Sequence, residues 1–245
     1  MLNYLQEKLI FKSEQLPKNH KFNFNIRFKE VFLKAKDGAK LHGVHFQQDD
    51  SKGIILYFHG NARNIDYWGI WGEQLSSTYK YDVVLMDYRG YGKSKGERSY
   101  TQMLEDSLVF YNYCCQFFTE DKIILFGRSL GGAFASYTSL HTKSEKLILE
   151  STFTTLEEVA KTKFWFLPTS LLLKYPFQNE RNMPLINSET FIIHGSDDPL
   201  VKYELAQKLY HLSNSKSKEL KAIEGAVHND LRNFEGYHKY LDQIL

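Results

Sequence analysis

Cysteine is scarce in this chain of 245 residues: Cys114 and Cys115 are the two present, and they are adjacent. Neighbouring positions on a helix cannot form an ordinary disulfide and do not suit metal coordination. The chain is therefore not a disulfide scaffold, and both cysteines are predicted to be reduced, inert thiols. This cysteine usage favours a cytoplasmic location, because disulfides belong to oxidising compartments.

Long hydrophobic runs are also missing. No run approaches the 18 apolar residues of a membrane-spanning helix, and the amino terminus lacks the apolar core of a signal peptide. Charge of one sign is not in excess, since 31 Lys and Arg face 29 Asp and Glu, so no nucleic acid partner is implied. No His, Cys and Asp cluster has the spacing of metal ligands. We expect a soluble protein without a metal or another cofactor.

The amino-terminal segment is a local exception to this balance, because residues 1–36 hold eight Lys or Arg and three Glu. Its apolar residues, set among lysines, could form a short surface-seeking helix in weak peripheral contact with a membrane. They are Leu2, Leu5, Leu9, Ile10 and Phe11. The alternative, which we prefer, is that the segment packs on its own domain.

From residue 53 onwards, apolar strands alternate with amphipathic segments. Strands are predicted at 53–58, 82–87, 123–126, 147–150, 190–195 and 218–225. Helices are predicted at 67–75, 101–118, 130–136, 202–213 and 231–245. This alternation indicates an α/β protein with a mainly parallel central sheet and helices on both faces.

Upstream of these strands, Asp37-Gly38 separates residues 27–36 from residues 39–46 and predicts an antiparallel hairpin. The hairpin would give the sheet an antiparallel edge. Because the chain has no internal repeat and no low-complexity linker, residues 1–245 are predicted to form a single domain.

Residues 153–185 interrupt the alternation with a dense apolar stretch around Pro168 and Pro176. One interpretation is a helical connection buried in the core. We favour a small helical cap over the carboxyl-terminal edge of the sheet, where open α/β sheets bind ligands. A cap of this composition would line a pocket for an acyl group. The apolar residues concerned are Phe164, Trp165, Phe166, Leu167, Leu171, Leu172 and Leu173.

The stretch from Lys122 to Ala135, KIILFGRSLGGAFA, carries the main functional signal. A buried strand, the turn G-R-S-L-G and a helix of small residues follow one another, an order that matches the nucleophile elbow of α/β-hydrolases. Ser129 would sit in a strained turn with its oxygen exposed, and Gly127 and Gly131 would let strand and helix pass closely. The alternative is a glycine-rich turn whose serine caps the helix.

A serine hydroxyl needs a base to take its proton and an acid to orient that base, in the chain order Ser, acid, His. His228 is preferred as the base because it lies in a small-residue loop directly after the last predicted strand. The loop after strand 190–194 offers Asp197 and Asp198 as the acid, and either could instead cap the next helix. Asp198 is preferred, since Pro199 biases it towards an extended backbone. The other downstream histidines are His141, His194, His211 and His238.

The oxyanion that develops during acyl transfer needs backbone N–H donors. One should be the amide of Leu130, which follows the nucleophile. The other should come from the loop after strand 53–58, and hence from Asn61 or its neighbour Ala62. Loss of one such donor typically raises the barrier by about 3–4 kcal/mol.

Five motifs make the chain resemble the α/β-hydrolase superfamily, and within it the serine hydrolases of the BEM46-like (ABHD13/ABHD17-like) group. They are HGNA at 59–62, MDYRGYGKS at 86–94, GRSLGG at 127–132, HGSDDPLV at 194–201 and GAVHND at 225–230. The resemblance implies an α/β-hydrolase fold with Ser129 as nucleophile, Asp198 as acid and His228 as base. It also implies an oxyanion hole formed by Asn61 and Leu130.

The same resemblance bears on two further features. Asp87, with Arg89 and Gly90, resembles the family's structural turn, so its carboxylate is not expected to be catalytic. Many relatives carry a membrane-spanning segment before the domain, and this chain is expected to lack one.

The leading hypothesis is a serine hydrolase that cleaves a carboxylic ester or thioester of an apolar acyl group through an acyl-enzyme. The same triad cleaves amides, so an aminopeptidase or amidase is the second hypothesis. A catalytically silent binding protein is the third, because fold does not fix function. The expected partner is a small-molecule or acyl substrate.

Overall fold

The computed structural model describes residues 2–163 and 173–245. Among these residues, eight strands form one sheet: β2 (Phe28–Lys34), β3 (Lys40–Phe46), β4 (Ile54–Phe58), β6 (Asp82–Asp87), β7 (Ile123–Arg128), β8 (Lys146–Glu150), β9 (Glu189–Gly195) and β10 (Lys218–Ile223). Two short strands pair in parallel beside it, β1 (Lys12–Ser13) and β5 (Ala62–Arg63). The helices are α1 (Leu2–Ile10), α2 (Ile65–Tyr79), α3 (Tyr100–Cys114), α4 (Gly131–Leu140), α5 (Leu156–Lys163), α6 (Asn179–Asn182), α7 (Tyr203–Leu212) and α8 (Glu235–Ile244).

The strand order across the sheet is β10-β9-β8-β7-β4-β6-β3-β2. β2 and β3 form the antiparallel hairpin, β3 pairs with β6 in antiparallel fashion, and the other neighbours are parallel. The strands β4, β6 and β7 are buried along their whole length, as their continuous apolar runs indicate. The α/β-hydrolase fold predicted from the sequence, with its antiparallel hairpin, is confirmed.

Helices cover both faces because alternate residues of each strand point to opposite sides. On one face, Leu56 and its equivalents pack with buried residues of α3, α4 and α7. On the other face, Tyr57 and its equivalents pack with buried residues of α2 and α8. Two element ends differ from the sequence prediction. β7 continues to Arg128, which pairs with Glu150 of β8, and β10 ends at Ile223, because a turn with a positive φ at Gly225 follows.

The topology gathers several loops at one edge of the sheet. The parallel strands β4, β6, β7, β8, β9 and β10 all end there, and ligands of open α/β sheets bind at this edge. The turn between β2 and β3 lies at the same edge, since His42, near the start of β3, pairs with Asp87 at the end of β6.

The segment 153–185 is described at its two ends. Leu156 donates its amide hydrogen to the Pro176 carbonyl oxygen at 3.0 Å, so the two ends meet. Tyr175 and Phe177 are fully buried and belong to the core that also contains Phe134 of α4. The apolar residues at 164–167, 171 and 172 lie outside the described residues. The cap, and with it the domain organisation, stays a prediction.

The cysteines at the end of α3 are free, with Cys114 buried and Cys115 exposed. Burial raises the pKa of the Cys114 thiol well above its ordinary value, which makes it unreactive. Within residues 2–163 and 173–245, no group of three or more His, Cys, Asp or Glu side chains could hold a metal ion. In the same residues, no helix has both the length and the apolar character needed to cross a bilayer.

Candidate active site

Ser129 lies in the turn between β7 and α4, and its φ of 52° is in the left-handed region. Such a conformation is strained for a residue with a side chain. Glycine is required two residues before and two residues after Ser129, because backbone atoms lie too close to leave room for a side chain. A Cβ at Gly127 would lie 2.5 Å from the Gly131 carbonyl oxygen, and one at Gly131 would lie 1.9 Å from that of Phe58. The predicted strained turn between two glycines is confirmed.

Ser129 begins a chain of side-chain hydrogen bonds that reaches the loops after β9 and β10. Its Oγ lies 3.1 Å from His228 Nε2, and His228 Nδ1 lies 2.7 Å from Asp198 Oδ2. His228 and Asp198 are 6% and 4% exposed, whereas Ser129 is half-buried and accessible. The structure thus brings together the three side chains that the sequence analysis preferred.

The carboxylate of Asp198 has partners besides His228. Its Oδ1 accepts the amide hydrogens of Leu200 and Val201, both at 2.9 Å, and its Oδ2 lies 3.4 Å from His194 Nε2. Burial alone would raise the pKa of Asp198, but hydrogen bonds with His194 and His228 hold that pKa below its ordinary value. Asp198 is therefore an anion at neutral pH and can orient the imidazole beside it.

The alternative residues from the sequence analysis lie elsewhere. Asp197 is exposed and bonds the hydroxyl of the preceding serine at 2.7 Å. Neither aspartate caps α7, whose flanking residue is Lys202. Among the described histidines, His228 is the one within hydrogen-bond distance of Ser129. The other histidines downstream of Ser129 are the buried His194, the half-buried His238 and the exposed His141 and His211.

The two amides expected to face an oxyanion belong to Leu130 and Asn61. Within the ranges 2–163 and 173–245, neither amide donates to a protein acceptor, which leaves both available to a ligand. The side chain of Asn61 is already engaged, because Nδ2 donates to the Ile10 carbonyl oxygen at 3.0 Å. An Asn61 contribution would therefore come from its backbone. The alternative donor, Ala62, belongs to β5.

The sequence did not predict how the amino-terminal segment attaches to this loop. Residues 10–16, here called the strap, lie along the loop that follows β4. The Lys12 amide donates to the Asn61 carbonyl oxygen at 3.0 Å, and Asn64 Nδ2 donates to that of Glu14 at 3.1 Å. Between these contacts β1 pairs with β5. Packing of the segment on its own domain is thereby confirmed for the strap, whereas membrane contact stays a prediction.

Beneath the His228 loop lies a buried cluster of charged side chains around Arg128. Arg128 Nε donates to Glu150 Oε1 at 2.8 Å, and its Nη2 donates to the His228 carbonyl oxygen at 2.6 Å. Glu150 also accepts a hydrogen bond from Tyr237 OH at 2.7 Å. Burial would raise the pKa of Glu150, but Arg232 and Arg128 hold it below its ordinary value. The cluster is thus an ionised network inside the protein.

Neither Arg128 nor Glu150 was predicted from the sequence to have a role, although the position of each in its strand indicates one. Each ends an apolar strand with a charged residue, in IILFGR and KLILE. A buried charge needs a partner. Two neighbouring strands that end in opposite charges therefore predict an ion pair between them, and Arg128 and Glu150 are indeed register partners.

Comparison with known proteins shows the family of this chain. The family profile described as "Serine aminopeptidase, S33", an α/β-hydrolase family, matches residues 49–179, which is more than half of the chain. The chain belongs to this α/β-hydrolase family. Its resemblance to the BEM46-like serine hydrolases is confirmed by similarity to Protein bem46 of Schizosaccharomyces pombe, at 26% identity over 91% of this chain and 78% of that protein.

Other relatives are named as lipases or esterases. The lysophosphatidylserine lipase ABHD12 of Gallus gallus is 33% identical over 218 residues, which cover 78% of this α/β-hydrolase and 55% of the relative. The chain therefore spans about half the length of these curated relatives. Among solved structures, an esterase of Pyrococcus furiosus superposes with a TM-score of 0.75 at 20% identity, covering 96% and 97% of the two chains. That likeness shows the fold.

Proposed function

We propose that this chain is a serine hydrolase that cleaves a carboxylic ester or thioester of an apolar acyl group. The observation that carries the proposal is the hydrogen-bonded chain from Ser129 Oγ through His228 to Asp198, with distances of 3.1 and 2.7 Å. The 3.1 Å distance between Ser129 Oγ and His228 Nε2 suits proton transfer from hydroxyl to imidazole. A carboxylate on Nδ1 selects the tautomer whose Nε2 can accept that proton.

In the first half-reaction, Ser129 Oγ attacks the carbonyl carbon of the substrate while His228 Nε2 accepts the hydroxyl proton. Asp198 stabilises the imidazolium, and the amides of Leu130 and Asn61 bind the oxyanion. The tetrahedral intermediate then expels the alcohol or thiol, which takes the proton from His228, and the acyl group stays on Ser129. Water attacks this acyl-enzyme while His228 accepts a proton from it. The second tetrahedral intermediate then expels Ser129 Oγ, which takes that proton from His228, and the carboxylic acid leaves.

The substrate class is supported by two independent features. Relatives named lysophosphatidylserine lipases and structural neighbours named esterases favour an ester over other acyl derivatives. The apolar stretch within residues 153–185 favours a long acyl chain, because a cap of that composition would enclose hydrocarbon. A lipid with one acyl chain combines both features.

A second candidate function is hydrolysis of an amide bond. The printed description of the matching family, a serine aminopeptidase, favours it, and a serine triad can cleave amides as well as esters. Turnover of matched acyl esters and aminoacyl amides with the same chromophore separates the two. We expect higher kcat/KM on the esters.

The experiment that tests the proposal is hydrolysis of p-nitrophenyl esters from acetate to palmitate by the purified protein. We expect activity that rises or peaks with acyl length and disappears in Ser129→Ala. Labelling with a fluorophosphonate should likewise require Ser129. Circular dichroism and thermal unfolding of Ser129→Ala verify that the variant is folded.

Each other outcome changes one part of the proposal. Ser129-dependent activity confined to acetate would keep the serine mechanism and overturn the apolar acyl site. Activity retained in Ser129→Ala would overturn the mechanism itself. A folded protein that neither turns over esters or amides nor reacts with the fluorophosphonate would indicate a binding protein without catalysis.

A further inference from the structure

A groove of about 960 Å³ lies between the end of the strap and the β2–β3 hairpin. Its apolar lining consists of Leu16, Pro17, Phe32 and Leu33. Phe32 is 60% exposed, one of the few large apolar side chains so exposed in the described chain. The remaining lining residues are Gln15, Lys18, Lys34, Gly38, Lys40, Lys93 and Lys95. We call this region the lysine groove.

The charge of the lysine groove is one-sided. Five lysines line it, and no carboxylate of the described residues does. Lys93 is neutralised by Glu30, whose Oε2 lies 2.5 Å from its Nζ. In the part of the chain that the structure describes, the other four lysines have no carboxylate within 4.0 Å: Lys18, Lys34, Lys40 and Lys95. The whole chain carries a formal charge of only +2, so this excess is local.

The register of the sheet fixes where this surface lies. Lys34 ends β2 and pairs with Lys40 at the start of β3, beside the hairpin turn. Because β3 runs antiparallel to β6, this turn lies at the edge where β4 and β7 end. The loops of Asn61 and Ser129 leave from the same edge, and β6 separates the hairpin from β4. The lysine groove and the candidate active site therefore belong to the same edge of the sheet.

We infer that the lysine groove docks on the surface of an anionic lipid bilayer. Four ammonium groups that have no carboxylate partner among the described residues complement phosphate and carboxylate head groups, although Lys95 Nζ also donates to Gln15 Oε1 at 3.2 Å. The exposed Phe32 ring adds apolar contact at the interface. A duplex nucleic acid would be attracted by the charge but would gain little from Phe32, because its bases are already stacked inside the helix. A single strand could stack on this ring, and it is therefore one of the outcomes of the test below. Bound in this way, the protein would hold its sheet edge against the lipid. In that orientation Ser129 would face the bilayer from which a lipid substrate comes. The use of the orientation for catalysis rests on the proposed function.

The test is co-sedimentation of Ser129→Ala with vesicles of phosphatidylcholine containing about a third phosphatidylserine. Each lysine near such a surface contributes about 1 kcal/mol, so Lys34→Gln with Lys40→Gln should weaken binding about 30-fold. Phe32→Ser should also weaken it, and pure phosphatidylcholine vesicles should bind little protein. The matched control is Lys122→Gln with Lys143→Gln, two exposed lysines that precede β7 and β8 at the opposite end of the sheet. This control should bind as Ser129→Ala does.

Equal losses in the two double variants would overturn the inference, because the attraction would then be non-specific. Displacement by millimolar inorganic phosphate would overturn it too, since it would indicate a small-anion site. Tighter binding to a single-stranded oligonucleotide than to the anionic vesicles would assign the groove to nucleic acid instead. Since Ser129→Ala does not turn over lipid, failure of the proposed hydrolysis leaves this measurement unaffected.

A separate observation concerns Arg128, whose side chain connects the turn of Ser129 to the loop that carries His228. It immediately precedes Ser129, yet its Nη2 binds the His228 carbonyl oxygen at 2.6 Å and the Asn229 side chain at 3.0 Å. Its guanidinium also lies 5.0 Å from the Trp68 ring centroid. The geometry points to Arg128 as a positioning residue that sets the distance between Ser129 Oγ and His228 Nε2.

Replacing Arg128 should therefore affect kcat more than KM. A displacement of about 1 Å can cost about 100-fold in rate, and we expect a loss of that order in Arg128→Ala, measured per folded molecule. Methylguanidinium should restore part of the activity of Arg128→Ala, an effect that a purely structural role would not give. Arg128→Lys should be intermediate, because an ammonium is a compact point charge without the planar fork by which Arg128 spans Glu150 and the His228 carbonyl.

The matched control is Arg89→Ala. Arg89 is 1% exposed and paired with Asp106 and Asp37, so its loss also removes a buried guanidinium. We expect a lower midpoint of thermal unfolding but an unchanged kcat per folded molecule. An unchanged kcat in Arg128→Ala, or an equal loss in Arg89→Ala, would overturn the positioning role.

Discussion

The two loops on either side of Ser129 are held by different kinds of contact. The His228 loop rests on buried charges, since Arg128 binds its main chain and Glu150 binds Arg128. The Asn61 loop is held from outside by the strap, largely through backbone hydrogen bonds and the pairing of β1 with β5. The His228 loop is therefore supported by residues of the neighbouring strands β7 and β8. The Asn61 loop is supported by the amino-terminal segment.

These two kinds of support respond differently to damage. Removing one member of a buried ion pair leaves the other charge uncompensated, which destabilises a protein by roughly 3–5 kcal/mol. A single strap hydrogen bond contributes only about 1 kcal/mol. We therefore expect the histidine side to fail together with the fold, and the Asn61 side to loosen while the fold persists.

The largest effect is expected on the histidine side from Asp198→Asn. The amide would stabilise the imidazole tautomer that cannot accept the Ser129 proton, so kcat should fall about 10⁴-fold with little change in KM. The measurement is steady-state hydrolysis of the best p-nitrophenyl ester. Asp197→Asn, which changes the exposed neighbour, is the control and should stay within about twofold of the parent protein. A tenth or more of the activity remaining in Asp198→Asn would rule Asp198 out as the acid.

The same carboxylate should make the histidine side sensitive to acid. The pKa of Asp198 lies below its ordinary value of 3.8 in the folded protein. Its contribution to the free energy of unfolding is thus complete above about pH 4 and is lost as the pH falls further. Urea unfolding across this range should show a shallower pH dependence for Asp198→Asn than for Asp197→Asn. Identical slopes would mean that the pKa of Asp198 does not differ between the folded and unfolded states.

The sequence was most informative where one physical requirement dominates. A strand buried on both faces needs a continuous apolar run, so the runs 54–58, 83–86 and 123–126 could be read directly as β4, β6 and β7. The turn at Ser129 needs glycine on both sides, so its motif can be recognised in the sequence. The fold and the grouping of Ser129, Asp198 and His228 therefore followed from the chain alone.

The supports of the site were harder to predict. β1 is only two residues long, Lys12–Ser13, and has no periodicity of its own, because its hydrogen bonds depend on a partner some 50 residues away in β5. The role of Arg128 could not be predicted from the sequence for a different reason. It occupies the variable position of G-x-S-x-G, and its contact with the His228 main chain depends on how distant loops meet.

A moderate effect is expected on the other side of Ser129 from Asn61→Ala. The change removes the bond to the Ile10 carbonyl but keeps the backbone amide, so kcat should fall only about fivefold, the equivalent of one hydrogen bond of about 1 kcal/mol. Tyr91→Phe removes a second bond to the same residue, from Tyr91 OH to the Asn61 carbonyl oxygen, and should act similarly. Steady-state kinetics and thermal unfolding are measured together. A loss as large as that of Asp198→Asn would show that the Asn61 side chain itself contacts the reacting atoms.

The smallest effect is expected at Arg63, the β5 residue that faces Ser13 of the strap and has a φ of 68°. A left-handed backbone costs an alanine about 1 kcal/mol and costs glycine nothing. Arg63→Gly and Arg63→Ala both lose the exposed ion pair with Glu14, so they differ in this strain alone apart from the greater unfolded-state freedom of glycine. Urea unfolding should find Arg63→Gly more stable than Arg63→Ala by up to about 1 kcal/mol. If Arg63→Ala were the more stable variant, the unfolded-state freedom of glycine would be the remaining difference between the two. That result would mean that the strap imposes no strain on the loop.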